Sequence, residues 1–391
     1  MYDLSKLSAL LEKVIEPFVG QNVAQKTLLY NFVAKKTPPF ERKGLEVYVP
    51  IRTSRHAGVY GIPDSESTVG RGEAKYEQAT YQVKLYGGSI EINKKLLSVP
   101  DDQQVVNHLS RITQDLMQDM IYVLNLDFVG DGTGFIGKTA SAGSSTTSVE
   151  LVPYNLGTDN GDITAEDILT PGDYIKIGTN PAVQVTAVNG NVITIASAQS
   201  FAAGVNVVRA TPAGNPVDAV AGLMAIVNDN NFAGIDVSTT PTWKAVKDVP
   251  GTATTLTLTD MYRVYSAVNK LGECDVLFMN RTLFNKYGSI LQAQVRFTPT
   301  ETLQGGWRGL EFMGGAAKVI LDYHIPSDAV YFVSTKNLYR LEIQPPKFEK
   351  GTEGTLLRSY GTVKYEAVLT ALYALGTDVR GAFGVMGNRT A

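Results

Sequence analysis

Val105, Leu109, Ile112, Leu116, Met120, Val123 and Leu126 recur at helical spacing with no Gly or Pro among them. No other feature constrains the chain's fold as strongly. The stripe predicts one helix from Asp101 to Asp127, about 40 Å long at 1.5 Å per residue, beyond the usual globular range. Pro100-Asp101-Asp102 opens it, and Gly130-Asp131-Gly132-Thr133-Gly134 ends it, because Gly accepts the left-handed conformation used at helix C-termini.

Upstream, Leu45, Val47, Val49 and Ile51 alternate as a strand does, and Tyr81, Val83 and Leu85, continuing through Gly87-Gly88 to Ile90 and Ile92, form the returning partner. Residues 52–78 between them carry Gly, Ser and both charge signs without apolar periodicity. So long a loop is normally functional or disordered, and flanked by matching strands it reads as a projecting two-stranded flap. A lone ribbon is marginal in water, so this one needs a support, and another subunit would serve. Residues 1–44 read as an arm. Leu4, Leu7, Leu11, Val14 and Ile15 suggest a short helix ending before Pro17, and nine Lys and Arg face five Asp and Glu over residues 1–60. The arm is either a solvated terminal segment or one that lies on a neighbour or faces nucleic acid.

Downstream the composition shifts. From 139 to 217 the only basic residues are Lys176 and Arg209, against six acidic ones. Strand-like runs at 174–177, 183–188, 192–195 and 205–208, with Asn189-Gly190 as a hairpin turn, predict a small barrel or sandwich inserted into the chain and attached through Gly137-Lys138 and Pro216-Val217. Its uncharged stretch Ile177–Val208 is broken by Pro181, Gly190 and Gly204 and is too interrupted for a spanning helix. After Asp218 helices (Val220–Val227, Leu258–Leu271, Arg281–Leu291) alternate with strands (Asp275–Met279, Val319–Leu321, Val330–Val333), and Tyr365–Leu375 is β-prone.

Motifs of catalysis are missing. A net charge of -3 gives no sign of a free-standing nucleic-acid binder. The single Cys274 rules out an internal disulfide framework and fits a reducing compartment, and His56, His108 and His324 share no metal-ligand spacing. The Gly130–Gly134 run follows a helix instead of opening one, so it presents carbonyls where a phosphate would need N–H groups. Helix capping accounts for Asp101-Asp102 and Glu166-Asp167. Asp127 and Asp131, one turn apart, leave a cation open. Trp243 and Trp307 read as packing residues. The N-terminus has no export signal. No enzyme, cofactor or metal centre is expected.

Arm, flap, very long helix with its Gly-Asp-Gly ending and α/β region follow one another in an order that resembles the Hong Kong-type capsid fold of tailed-bacteriophage major capsid proteins. The wording agrees at "IYVLNLDFVGDGTG" (121–134), similar to that family's spine helix, and at Gly222-Leu223 through Trp243-Lys244-Ala245, similar to the lead into its axial domain. "NRTLFNKYGSIL" (280–291) and "GLEFMGGAAKVILDYHIPSDAVYFVSTKNLYRLEI" (309–343) look like the helix and last strands of that domain. The resemblance implies an α+β chain divided into an N-terminal arm (1–44), an extended loop (45–92), a peripheral domain with the spine helix (93–137), an inserted β-domain (138–217), an axial domain (218–334) and a return to the peripheral domain (335–391). It implies a shell of pentamers and hexamers in a virion head, assembled in a host bacterial cytoplasm without a membrane. The partners would be other copies of the chain, packaged double-stranded DNA bound without sequence preference, a portal and a separate scaffolding protein, with a decoration protein left open. An encapsulin-like compartment is the alternative. The flap residues Arg52, Arg55, Asp64, Glu66, Arg71, Glu73 and Lys75 are the candidates for contacts between subunits. Lys26, Lys35, Lys36, Arg42 and Lys43 of the arm are the candidates for the DNA-facing lumen. Lys75 and Lys84 are the lysines placed for a cross-link, though a solvated surface charge explains each more simply.

Overall fold

A computed structural model describes residues 29, 32, 41–62, 64, 71–93, 102–153, 164–228, 230–293, 301–302, 308–313, 315–350, 357–358 and 364–391. The expected helix at Leu4–Ile15 and Trp307 lie outside these residues.

Three antiparallel strands, β1 (Glu41–Lys43), β2 (Glu46–Arg52) and β3 (Tyr76–Gln82), make the flap sheet, with Val49 opposite Ala79 and Arg52 opposite Tyr76. Alternation decides which side is covered: Val47, Val49, Ile51, Ala79 and Tyr81 turn into the main core and are buried, while their neighbours face water. This corrects the expected pairing, because β4 (Lys84–Asn93) does not return along β2. The chain crosses over at Val83, and β4 pairs along its full length with a C-terminal strand, β20 (Lys364–Thr377).

The long helix runs from Asp102 to Val129. Its most buried line is Thr113, Met117, Ile121, Leu124 and Phe128, one position round from the predicted stripe, whose Ile112, Leu116, Met120 and Val123 are half-buried. The two rows lie side by side on the helix, so both face the body and the apolar face is wider than one stripe. The end comes at Gly130, whose N–H donates to the carbonyls of Leu126 and Asp127.

From there the chain enters a closed barrel: β5 (Phe135–Thr139), β6 (Gly143–Pro153), β7 (Tyr174–Ile177), β8 (Val183–Asn189), β9 (Val192–Phe201) and β10 (Asn206–Ala210), in the order β10-β5-β6-β9-β8-β7. Ile136, Val149, Leu151, Ile175, Ile177, Val185, Ile193, Ile195 and Val207 are all buried and fill it. It begins three residues before the expected boundary at 138. The β8–β9 hairpin turns on Gly190-Asn191, between paired Asn189 and Val192, one residue later than expected. At the start of the short helix Ala165–Ile168 the Asp167 carboxylate accepts from Thr164 N–H (2.7 Å), the capping role expected of it, and no such contact involves Glu166 among the described residues. Entry and exit of the barrel adjoin: Arg209 N–H donates to Gly134 O (2.8 Å) and Val217 N–H to Arg209 O (3.0 Å).

The chain then crosses the end of the long helix so closely that Gly222 admits no side chain; a Cβ there would stand 2.2 Å from Phe128 O. Only the turn Leu223–Ile226 of the expected 220–227 helix forms. Next come β11 (Val246–Asp248), β12 (Thr254–Thr255), helix Leu258–Asn269, β13 (Val276–Met279), helix Arg281–Ala293, β14 (Glu301–Thr302), β15 (Arg308–Phe312), β16 (Ala317–Leu321) and β17 (Val330–Val333). Both central strands are buried on both faces, as strands flanked on two sides must be. Leu277, Met279, Val330 and Phe332 meet Met261, Val264, Leu283 and Tyr287 in one core, while Val276, Phe278, Tyr331 and Val333 belong to the other.

β18 (Leu338–Phe348), β19 (Leu357–Arg358) and the 14-residue β20 (Lys364–Thr377) complete the sheet with β4. The last strands, β21 (Gly384–Met386) and β22 (Arg389–Thr390), depart from the expected return of 335–391 to the peripheral part. β21 inserts between β11 and β17, giving the seven-stranded order β11-β21-β17-β13-β16-β15-β14. The reason is visible at Arg389, which is buried and donates to Asp248 (2.6 Å) and Thr254 (2.6 Å) on that side.

Candidate functional site

The flap root is fastened to its own chain. Thr80 N–H donates to Ala233 O (2.8 Å), Thr240 Oγ1 to Glu77 Oε1 (2.9 Å), Thr242 Oγ1 to Thr53 O (3.1 Å), and Tyr81 OH to Thr377 O (2.6 Å). Thr53 N–H donates to Lys75 O and Lys75 N–H to Ser54 Oγ, so the hairpin stays closed one step beyond the last strand pair. Past that point Val59, Tyr60 and Ile62 are 80%, 52% and 47% exposed.

Of the charged candidates, Arg52, Arg55, Asp64, Arg71, Glu73 and Lys75 are all exposed, and among the described residues they form no ion pair with one another. Arg52 donates to the nearby Ser54 carbonyl. Glu66 lies outside the described residues, as do Lys26, Lys35 and Lys36. Arg42 and Lys43 sit on β1, opposite Val47 and Glu46. The apolar trio at the tip escaped the sequence reading, which followed charge; three large apolar residues within a Gly- and Ser-rich loop were the available signal. Lys84 is engaged by Asp218 at 2.5 Å.

The cation left open between Asp127 and Asp131 finds its place taken. The Arg209 guanidinium, delivered by the last barrel strand, pairs with Asp127, and Tyr86 OH donates to the other carboxylate oxygen at 2.9 Å. Asp131 accepts instead from Thr133 N–H and Oγ1. Burial raises the Asp127 pKa even against the Arg209 charge, and lifts the Tyr86 hydroxyl well above its ordinary value. Among the described residues no group of three or more His, Cys, Asp or Glu could hold a metal ion, and no helix is long and apolar enough to cross a membrane. Trp243 is buried, with its indole N–H given to Phe232 O. His324 pairs with Asp322 and meets the Tyr122 ring edge-on at 5.5 Å.

No family model and no curated protein sequence matches the chain. Solved structures do. The chain's fold is similar, over 93% of this chain and 93% of the other, to that of the cyanophage A-1(L) capsid asymmetric unit, at a TM-score of 0.54 and 12% identity. The capsid of a native GTA particle matches at a TM-score of 0.46 and 9% identity, covering 94% of this chain and 91% of that one. An encapsulin complex from Synechococcus elongatus PCC 7942 matches at 0.42 and 10% identity, covering 87% and 85%.

Proposed function

We propose that the chain is the major capsid protein of a tailed phage, a structural subunit without catalytic activity that closes through pentamers and hexamers around double-stranded DNA. The exposed tip of the flap carries the reading. Three large apolar side chains exposed past the closed part of the hairpin are costly in a free monomer, and contiguous exposed apolar groups mark contact sites. A second copy would cover them, and the contact would be head-to-tail, the kind that closes into rings. The charged neighbours Arg52, Arg55, Asp64, Glu66, Arg71, Glu73 and Lys75 would then form the polar rim.

The domain division given above follows from this reading, with the barrel added to the span of the insertion and β21–β22 to the axial part. The barrel segment carries a net four negative charges between residues 139 and 217. Carboxylates repel phosphates, so we place it on the outer face. The arm residues Lys26, Lys35, Lys36, Arg42 and Lys43 would line the lumen. Portal, scaffolding protein and assembly in a host cytoplasm belong to the same proposal.

Negative-stain microscopy of the purified chain tests it. Closed shells are expected from the native chain, and a V59S/Y60S/I62S variant should remain a folded monomer or small oligomer. Native chains that stay monomeric even when co-expressed with their scaffolding protein, or V59S/Y60S/I62S chains that close normally, would overturn it. Shells that co-purify with a cargo protein and no DNA would favour the encapsulin-like alternative.

A further inference from the structure

Arg380 is fully buried in the turn that follows β20. Its Nε donates to Ile226 O (2.6 Å), Nη1 to Asn230 O (3.0 Å) and Nη2 to Asn228 O. Its guanidinium lies 5.2 Å from the centre of the Phe232 ring. The three carbonyls lie at the end of the short helix Leu223–Ile226 and just after it, and the ring lies a little further on.

That stretch is also the platform of the flap. Phe232 meets Tyr81 of β3 edge-on at 6.0 Å, and its carbonyl takes the Trp243 indole N–H. Ala233, with φ of +54°, offers its carbonyl to Thr80 of β3. Thr240 and Thr242, further along, hold Glu77 and Thr53. On the other side Tyr81 OH and Thr377 are joined by two hydrogen bonds, three residues before Arg380. The flap root is thus held between a loop and a strand end, and Arg380 is the side chain that ties the two together.

We propose that Arg380 is the positioning residue of the flap: by gripping three carbonyls of the segment that supports β3, it fixes the direction in which the flap leaves the body. A planar fork with several donors can serve three acceptors in different directions, whereas an ammonium is a point charge on a flexible stem. The inference rests on the reading of the flap as the element that reaches a neighbour, and its test is separable from that reading.

Arg380→Lys and Arg380→Met would be made in the full chain, and amide exchange read at three places: Thr80 and residues 226–235, strand β13 as a control, and the flap beyond Ser54 by limited proteolysis. Loss of a charged hydrogen bond should speed exchange about tenfold or more at Thr80 and in the loop, leave β13 within about twofold, and expose the flap to cleavage. Arg380→Lys should recover little of this. Exchange at Thr80 that matches the native chain, or a rise spread evenly into β13, would overturn the proposal. Should both variants fail to fold, Phe232→Leu replaces them; it removes the ring from guanidinium and Tyr81 alike, and the same amides are read with the same two outcomes. Shells of the V59S/Y60S/I62S variant report on the inter-subunit reading separately, whatever happens at Thr80.

Discussion

Removing the Asp127 carboxylate leaves two buried donors facing nothing, and the size of the penalty can be worked from the partners. In Asp127→Ala the Arg209 guanidinium loses its counter-charge and the Tyr86 hydroxyl its acceptor. Asp127 is 3% exposed and the Arg209 side chain 13%, so water compensates little. Breaking a buried pair from one side costs about 3–5 kcal/mol. Asp127→Asn should cost less, about 1–3 kcal/mol, since the amide oxygen keeps an acceptor for Arg209 while its NH2 group can donate to the Tyr86 hydroxyl oxygen. The raised pKa supports that order, because burial already disfavours the charged form more than Arg209 favours it. Replacing both partners, as Asp127→Leu with Arg209→Met, should return close to native stability, since such pairs exchange for apolar residues at little net cost. The assay is urea unfolding of the unassembled chain, followed by Trp243 fluorescence, with the slope checked for constancy. A double variant as unstable as the two single losses added together would refute the reasoning. The pH dependence supplies a second check. A carboxylate whose folded pKa is raised favours the folded state most below the unfolded value, and that contribution fades as pH rises from 3.8 to the folded value. Asp127→Asn should flatten stability over that window.

Gly222→Ala places a Cβ 2.2 Å from a backbone oxygen that cannot move aside; a loss of about 3 kcal/mol or more, or no soluble chain, is expected, measured by the same unfolding. Gly132→Ala meets Ala221 Cα at 3.1 Å with φ at +87°, and calorimetry should show a loss of about 1–3 kcal/mol. Burial pushes the Cys274 thiol up to about 12, so at pH 8 a thiol reagent should label it only after unfolding, and rapid labelling of the native chain would contradict its placement. Deleting Asn388–Ala391 removes β22 and the Arg389 contacts with Asp248 and Thr254, and the truncated chain should unfold at lower urea than the native one, with the added loss concentrated in the seven-stranded sheet by amide exchange.

Where local pattern and tertiary role coincide, the residues were readable. The strands Tyr174–Ile177 and Val330–Val333 were read to the residue, because continuous or alternating apolar runs have only one way to be buried. The long helix was read within two residues at its C-terminal end, but its deepest row was missed, since a one-position rotation is invisible while both rows are apolar or small. Strand β6 escaped because eight of its eleven residues are not large apolar ones; of its described side chains only Val149 and Leu151 are buried, and the barrel does the rest. The partner of β4 lies at β20, with Lys364 opposite Asn93, 271 residues apart, and no local signal reports so distant a pairing. At the candidate site the charged flap residues were legible as exposed, whereas the apolar tip and the buried Arg380 were not: a lone arginine in sequence does not announce three carbonyl acceptors.

The closed barrel explains how a chain can carry so large an insertion in the middle of a helix-to-sheet connection. An open sheet placed there would leave unpaired edges, inviting the wrong contact. Closure through β10 and β7 removes both edges. The two ends then meet at the single register of Gly134, Arg209 and Val217, so the host fold sees a short turn in place of some eighty residues. From that junction the Arg209 side chain reaches back to Asp127. The barrel interior is continuous with the core that holds the long helix and the flap sheet, so the buried charge pair reinforces an apolar junction and does not hold the barrel alone.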